Sequence, residues 1–266
     1  MSEDAVAAPP PPLPAVRDVT FADLRAALAA GWADFVAAPQ FGLFFGGIYT
    51  AGGLLILALL TVLHAPWMII PVAVGFPLIG PFVAVGLYEV SRRRAAGMPL
   101  RWRAILSVVL QQRNRQLGWT AFIVLFVFWV WVYQVRLLIA LFLRSSSFAS
   151  IEGFLTVVAT TPQGLLFLAV GTGVGAVLAF VLYATTVITM PLLLDRDLDF
   201  VSAMIVSFQT IHRSPKAMIA WGLFIAVATL LALVPAFLGL LVVLPVLGHA
   251  TWHLYTRAVE PAPGGA

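Results

Sequence analysis

Long apolar runs constrain this chain more than any other feature, because each can cross a lipid bilayer as a helix. A bilayer requires about 20 apolar residues per helix, with a range of about 17–25. Six segments meet this requirement: Phe41–Leu63, Trp67–Val90, Gly118–Leu141, Leu165–Met190, Met218–Val234 and Ala236–Tyr255. Only Pro235 separates the last two, so a long re-entrant hairpin is the alternative there. The pattern predicts an all-α, polytopic membrane helical bundle.

The composition excludes a soluble domain. Hydrophobic residues make up 62% of the 266 residues and charged residues only 10%, whereas a soluble domain carries about 25% charged residues. We predict a disordered Pro-rich tail over residues 1–18, a membrane domain over 19–258 and a disordered tail over 259–266. Cysteine is absent, so neither disulfides nor thiolate metal sites can form.

Basic residues fall on one side of the predicted bundle. Thirteen Lys or Arg residues lie in the tails and in the loops after spans two and four, whereas the opposite loops contain only Arg144. Because cytoplasmic loops carry the excess of Lys and Arg, both termini are predicted to be cytoplasmic. Arg-rich and Ala-rich usage indicates a GC-rich bacterial genome, and therefore a multi-pass protein of the bacterial inner membrane. Basic residues confined to short loops do not indicate nucleic-acid binding.

An amphipathic helix is predicted before the first span, with Phe21, Leu24, Leu28, Trp32 and Phe35 on its apolar face. Thr20 and Asp23 would cap it, Pro39 would end it, and Asp34 and Arg25 would lie off that face. We interpret it as an interfacial helix.

The same arrangement returns 176 residues later, where Asp199, Ala203, Pro215 and Gly222 align with Asp23, Ala27, Pro39 and Gly46. A poorer third copy begins near Leu100. The sequence therefore predicts a threefold repeat of one interfacial helix followed by two spans.

His249 and His253 are the first candidates for chemistry. They are four residues apart near the cytoplasmic end of the sixth span, so both project from one helix face. Imidazoles at that spacing can share a metal ion, although more ligands would be needed. The alternative is a pair of interfacial histidines hydrogen-bonded to backbone or lipid. No cofactor is otherwise expected, and a metal or haem is an open possibility at this pair alone.

Five other polar residues are candidates. Arg136 is the only basic residue within a predicted span, where it either snorkels outward, pairs with Glu152 or binds an anion. Glu89 is expected to form an interfacial ion pair with Arg92. Asp195, Asp197 and Asp199 alternate in a loop; such a run can bind Mg²⁺ or Ca²⁺, or can cap the following helix.

Several stretches resemble one family of bacterial integral membrane proteins, domain of unknown function 2189 (DUF2189). They are residues 80–94 (GPFVAVGLYEVSRRR), 190–200 (MPLLLDRDLDF), 245–255 (PVLGHATWHLY) and 23–35 (DLRAALAAGWADF). The resemblance implies a membrane fold over nearly the whole chain and supplies no catalytic residues. Members of this family are sometimes labelled as cytochrome c oxidase subunit I, but this chain has too few spans and histidines for a haem–copper subunit.

Three functions remain open. A non-enzymatic scaffold, accessory or assembly component fits the scarcity of ionisable groups within the spans. A transporter for a small solute or lipid would require a cavity lined by Arg136, Gln134, Thr172 or the histidine pair. A metal- or haem-binding protein, or one associated with a respiratory oxidase, would depend on His249 and His253. The bilayer and other membrane proteins, such as respiratory complexes, are the expected partners.

Overall fold

A computed structural model describes residues 13–62, 69–112, 117–143 and 151–261 of the chain. The described part is built from α-helices, and its only β feature is an isolated bridge, so the predicted all-α class is confirmed. In chain order the helices are α1 (Phe21–Ala37), α2 (Pro39–Thr61), α3 (Ile69–Ala95), α4 (Trp102–Gln112), α5 (Leu117–Phe142), α6 (Ile151–Thr160), α7 (Pro162–Thr186), α8 (Thr189–Asp195), α9 (Phe200–Arg213), α10 (Pro215–Leu233) and α11 (Leu240–Ala258).

Among the described residues, four helical segments are long and apolar enough to cross a membrane: Pro39–Leu59, Ala121–Phe142, Pro162–Asp195 and Pro215–Leu233. They coincide with the first, third, fourth and fifth predicted spans. The fourth is longer than predicted, because α8 continues α7 after a short turn. Helix α3, with 27 residues, lies in the second predicted span, and α11, with 19 residues, lies in the sixth. The side chains of residues 69–79, at the start of α3, are outside the described set.

A six-residue turn joins α10 to α11, where the sequence predicts a junction of one proline. Pro235 cannot donate a backbone hydrogen bond, so the chain leaves the helix before it. Ala236 and Phe237 then adopt φ values of 48° and 68°, a region that L residues rarely occupy. The Phe237 carbonyl accepts a 3.2 Å hydrogen bond from Thr50 Oγ1 of α2, which fixes the turn against the bundle.

The start of α1 is fixed by the predicted capping box. Thr20 Oγ1 accepts a hydrogen bond from the Asp23 backbone nitrogen at 3.2 Å, and the Asp23 carboxylate accepts one from the Thr20 backbone at 2.9 Å. The hydrogen bonds from the Thr20 side chain and backbone lower the pKa of Asp23. The helix ends at Ala37, directly before the helix that begins with Pro39, as the sequence predicts.

Helix α1 packs across α11 through small residues that lie beside the predicted apolar face, of which Leu24 and Phe35 are buried. Ala27 is fully buried, and a Cβ added to Gly31 would lie 2.5 Å from the backbone nitrogen of Ala250. Helix backbones approach this closely only where a side chain is missing. Phe21 and Trp32, which were predicted on the apolar face, are 55% and 52% exposed.

Asp34, which was predicted to lie off the apolar face of α1, is nevertheless buried. Asp34 is only 6% exposed, whereas Arg25 is exposed as predicted. The physical reason is that Gly31 determines the crossing with α11, and Asp34 lies one turn further along the same side of the helix. Large apolar side chains then face the surroundings, which would be lipid in a membrane.

The two ends of the chain meet at one end of the bundle. Val16 and Val259 form an antiparallel bridge, and the Arg17 backbone nitrogen donates to the Ala258 carbonyl at 2.7 Å. The last residues of the predicted N-terminal tail therefore belong to the fold. We call this end the basic face; it carries Arg17, Arg25, Arg92, Arg93, Arg94 and Arg213.

The predicted relation between the first and second units is visible in their local structure. Ala38 and Ser214, which the 176-residue shift aligns, have φ/ψ of −141°/55° and −130°/59°, and each precedes a helix that begins with Pro. The aligned residues Ala27 and Ala203 are both fully buried. The junction of the third copy falls on residues 113–116, outside the described residues, so that copy stays a prediction.

A short helix, α6, forms in the loop between α5 and α7. Arg144 and the rest of the segment 144–150 lie outside the described residues.

Candidate functional site

The close crossing of α1 and α11 places Asp34 among polar side chains from three helices. Its Oδ2 lies 2.8 Å from Nε2 of His253 on α11, and its Oδ1 accepts a 2.9 Å hydrogen bond from Nη1 of Arg94 on α3. Arg94 also donates to the backbone carbonyl of Ala33 at 3.0 Å. One carboxylate thus links the ends of α1, α3 and α11.

Ser91 of α3 connects this carboxylate to His249. Its Oγ lies 2.8 Å from Nδ1 of His249, and it also hydrogen-bonds the side chain of Asp34. Which partner donates in the Ser91–His249 hydrogen bond depends on which imidazole nitrogen carries the proton. The result is a continuous chain from His249 through Ser91 and Asp34 to His253, which we call the Asp34 network.

The Asp34 network favours the charged form of its carboxylate. Burial alone raises the pKa of Asp34. The hydrogen bonds from His253 and Ser91 and the charges of the nearby histidines lower the pKa, and their combined effect is larger than that of burial. The pKa of Asp34 is therefore lowered below its ordinary value. At neutral pH the carboxylate is ionised and is paired with the Arg94 guanidinium.

His249 is the most deeply placed member of the network. It is 0% exposed, and its Nε2 has no hydrogen-bond partner within the part of the chain that the structure describes. The Nε2 of His253 is hydrogen-bonded to Asp34 and the Nδ1 of His249 to Ser91, so one nitrogen of each imidazole already has a partner in the network. No group of three or more metal-ligating side chains is found among the described residues. Metal binding by His249 and His253 stays a prediction.

Glu89 forms a second buried ionic cluster two residues before Ser91. Its side chain is 0% exposed and accepts hydrogen bonds from Arg92 Nε at 2.7 Å and Arg93 Nε at 2.6 Å. These arginines lie in the last turn of α3, where positive charge also interacts favourably with the helix dipole. Two arginines, and not Arg92 alone, therefore compensate this buried carboxylate.

The three aspartates of the Asp195–Asp199 run occupy different structural positions. Asp195 Oδ2 accepts a 2.6 Å hydrogen bond from the Tyr255 hydroxyl of α11. Asp199 is the N-cap of α9, where its Oδ1 accepts a 2.9 Å hydrogen bond from the Ser202 backbone, and this bonding lowers its pKa. The position of Asp199 agrees with the capping interpretation, and Asp197 lies in the turn between α8 and α9.

Arg136 lies apart from the Asp34 network. It is exposed on α5, while the side chain of its predicted partner Glu152 is outside the described residues. Gln134, also on α5, has both amide atoms buried without a hydrogen-bond partner among the described residues. The structure therefore does not bring Arg136 together with His249 or His253.

A cavity of about 540 Å³ lies between α3, α5, α7, α10 and α11. Its described lining contains no Asp, Glu, His, Lys or Arg, and includes none of the five residues expected to line a transport pathway. Three of its hydroxyls donate hydrogen bonds to backbone carbonyls: Tyr183 to Met218 at 2.6 Å, Thr186 to Leu182 at 2.7 Å and Thr251 to Leu247 at 2.8 Å. The cavity thus presents an apolar surface.

Comparison with known families supports the membrane assignment. The model of the family described as Predicted integral membrane protein (DUF2189) matches residues 69–195. We call residues 69–195, which resemble this family, the DUF2189 region. It runs from the start of α3 to the end of α8, and so contains Glu89, Ser91 and Arg94. No curated protein and no solved structure matches the chain.

The DUF2189 match confirms the resemblance seen in the sequence over a shorter range than expected. Residues 80–94 lie inside it, whereas residues 23–35 and 245–255 lie outside. The Asp34 network therefore joins side chains of the DUF2189 region to side chains from both flanking segments.

Asp34 and Ser91 are the network residues that the sequence analysis missed. A signal was present: Ala27, Gly31 and Asp34 follow one another at spacings of four and three, which is a stripe of small residues ending in an acid. In a membrane protein such a stripe marks the close helix contact better than the large apolar residues do. A search for that pattern would have placed Asp34 beside the last span.

Proposed function

We propose that the chain is a six-span protein of the bacterial inner membrane that acts without catalysis, as a scaffold or as an accessory or assembly component. The spans would be α2, α3, α5, α7 with α8, α10 and α11. The 19 residues of α11 correspond to a length of about 28 Å, close to the thickness of the hydrocarbon core. The pairing of Val16 with Val259 supports an even number of crossings, because both ends lie at one end of the bundle.

The basic face would be cytoplasmic. It carries the arginines of α1 and α3, whereas the sequence between α5 and α6 contributes only Arg144. This distribution follows the positive-inside rule. Helices α1, α4 and α9 would then lie at the cytoplasmic membrane surface as the interfacial helices of the three units.

The observation that carries the scaffold proposal is the apolar lining of the central cavity. A polar solute needs hydrogen-bonding or charged partners within the membrane, and three of the four hydroxyls that line the cavity, all but that of Tyr88, are already paired with backbone carbonyls. The buried carboxylates Asp34 and Glu89 are likewise paired with arginines. These groups serve to hold helices together and are not free to react with a substrate.

Lipid transport is the second candidate, because an apolar cavity of about 540 Å³ suits an acyl chain. The two functions make different predictions for a variant that fills the cavity. Ala84 lines it and is half-buried, while Ala51 on α2 is exposed and offers a matched control.

We expect the scaffold to leave lipid movement unchanged and to persist in a larger assembly. Proteoliposomes should flip fluorescent phospholipids no faster than protein-free vesicles, for the wild type, Ala84→Phe and Ala51→Phe alike. Mild-detergent extracts should show the chain co-migrating with another membrane protein on native electrophoresis. Lipid flipping that Ala84→Phe abolishes and Ala51→Phe preserves would establish the transporter instead, and a lone monodisperse species would contradict the scaffold.

A further inference from the structure

A groove of about 470 Å³ separates α1 from α10 at the basic face. Its walls include Phe21 and Leu28 of α1 and Phe224 of α10. Phe21 and Phe224 are 55% and 42% exposed, so the walls are open to the surroundings. At a membrane surface, a groove with such walls takes up an apolar chain in preference to water.

Trp221 of α10 lines the same groove and adds a hydrogen-bond donor. Its side chain is 2% exposed, and its indole nitrogen has no hydrogen-bond partner in the described part of the chain. A buried indole N–H normally finds an acceptor. That nitrogen is itself buried, so an acceptor from outside the protein reaches it only if the groove residues shift.

Two cations lie at the groove. Arg25 lines it and is exposed. Lys216 is exposed in the first turn of α10, four residues before the groove residue Ala220, so both project from one helix face. Neither cation forms an ion pair within the described residues. Both positive charges are therefore available to pair with an anion.

We propose that this groove is a binding site for one anionic phospholipid. The phosphate contacts Arg25 and Lys216, and an acyl chain lies between Phe21 and Phe224 and packs against Trp221. The spacing along α10 suits this arrangement, since Trp221 follows Pro215 by six residues and lies about 9 Å deeper along the helix. Tryptophan at this depth is typical of the membrane interface.

The phospholipid site extends the proposed function but does not depend on it. It requires only that the chain is a membrane protein with its basic face at the bilayer surface. A protein that failed to join a larger assembly would still bind the lipid, so the two proposals fail separately.

Native mass spectrometry of the detergent-purified protein tests the site directly. Phosphatidylglycerol and phosphatidylcholine of equal chain length are titrated against the wild type and against the double variant Arg25→Gln, Lys216→Gln. We expect one phosphatidylglycerol to bind in preference to phosphatidylcholine, and the double variant to lose about 30-fold of that preference, about fivefold for each cation. Arg101→Gln removes an exposed cation that directly precedes α4 and lies outside the groove; it is the matched control and should change little.

Fluorescence quenching provides a second measurement that does not rely on charge variants. Phosphatidylglycerol brominated on its acyl chain should quench the wild type more than Trp221→Phe, because that variant removes one of the eight tryptophans. Trp252→Phe removes another buried indole, outside the groove, and should leave the quenching unchanged. Inorganic phosphate alone should not displace the lipid.

The proposal is overturned by any of three results. First, the preference for phosphatidylglycerol could survive in the double variant, or Arg101→Gln could lose as much of that preference as the double variant does. Either outcome would indicate a diffuse electrostatic effect. Trp221→Phe could be quenched as strongly as the wild type. Inorganic phosphate could displace the lipid at millimolar concentration, which would show that the acyl groove contributes nothing.

Discussion

Replacing Asp34 by Ala is expected to lower the free energy of unfolding by about 3–5 kcal/mol, the cost of removing one partner from a buried ion pair. The variant leaves the Arg94 guanidinium without its carboxylate and removes the hydrogen-bond partner of His253. It also breaks the only side-chain link in the Asp34 network between α1 and the ends of α3 and α11. Unfolding of the detergent-solubilised protein, followed by tryptophan fluorescence in a denaturant series, measures the difference.

Asp23→Ala is the matched control, because it makes the same chemical change in the same helix. Asp23 is part of the cap, so its loss should cost only about 1 kcal/mol. His253→Gln should be milder than His253→Leu, since an amide nitrogen can still donate to Asp34. Equal losses for Asp34→Ala and Asp23→Ala would show that the Asp34 network does not hold the helices together.

The same carboxylate predicts how stability depends on pH. The pKa of Asp34 is lower in the folded protein than its unfolded value of about 3.9. Its contribution is therefore complete above the unfolded pKa and is lost as the pH falls through the folded pKa. The stability difference between the wild type and Asp34→Asn should accordingly be constant near neutral pH and should shrink below about pH 4.

Replacing Gly31 by Leu is expected to detach α1 from α11 and to cost more than about 3 kcal/mol, the upper part of the range for overpacked sites. The first atom of the new side chain would lie 2.5 Å from the Ala250 nitrogen and 2.8 Å from its Cα. Both are backbone atoms, so no side chain can turn aside to make room. The same denaturant series measures the loss, and Gly31→Ala should show a smaller one despite its better helix propensity.

Gly173→Leu in α7 controls for the change of residue type. A Cβ at Gly173 meets nothing within 4 Å in the described structure, so this variant should be neutral or slightly stabilising. If Gly31→Leu proved as harmless as Gly173→Leu, the close crossing of α1 and α11 would be contradicted.

The sequence predicts the helices well because each is determined by local chemistry. The Thr20–Asp23 cap, the proline that starts α2 and the apolar runs all act within a few residues of one another. The boundary errors occur where the structure extends or interrupts a run: α8 prolongs α7 to Asp195, and Pro235 begins a longer turn.

The candidate site is less predictable, because its partners come from distant parts of the sequence. His249 and His253 are visible as polar residues in an apolar helix. Their partners Ser91 and Asp34 are 158 and 219 residues away in the chain. The amphipathic pattern of α1 identifies the buried Leu24 and Phe35, but the burial of Asp34 depends on the close backbone contact at Gly31, which that pattern does not reveal. The Asp34 network is a product of that packing.

Single-cysteine labelling with a membrane-impermeant maleimide tests the six-span account most directly, and the natural absence of cysteine makes the background clean. Three positions are compared in a bacterium: Ala96→Cys between α3 and α4, Ser146→Cys between α5 and α6, and Leu238→Cys in the turn before α11. The account predicts labelling of Ser146→Cys and Leu238→Cys in intact cells, and of Ala96→Cys only after lysis. Labelling of Ala96→Cys and Ser146→Cys from the same side, or protection of Leu238→Cys from outside, would contradict it.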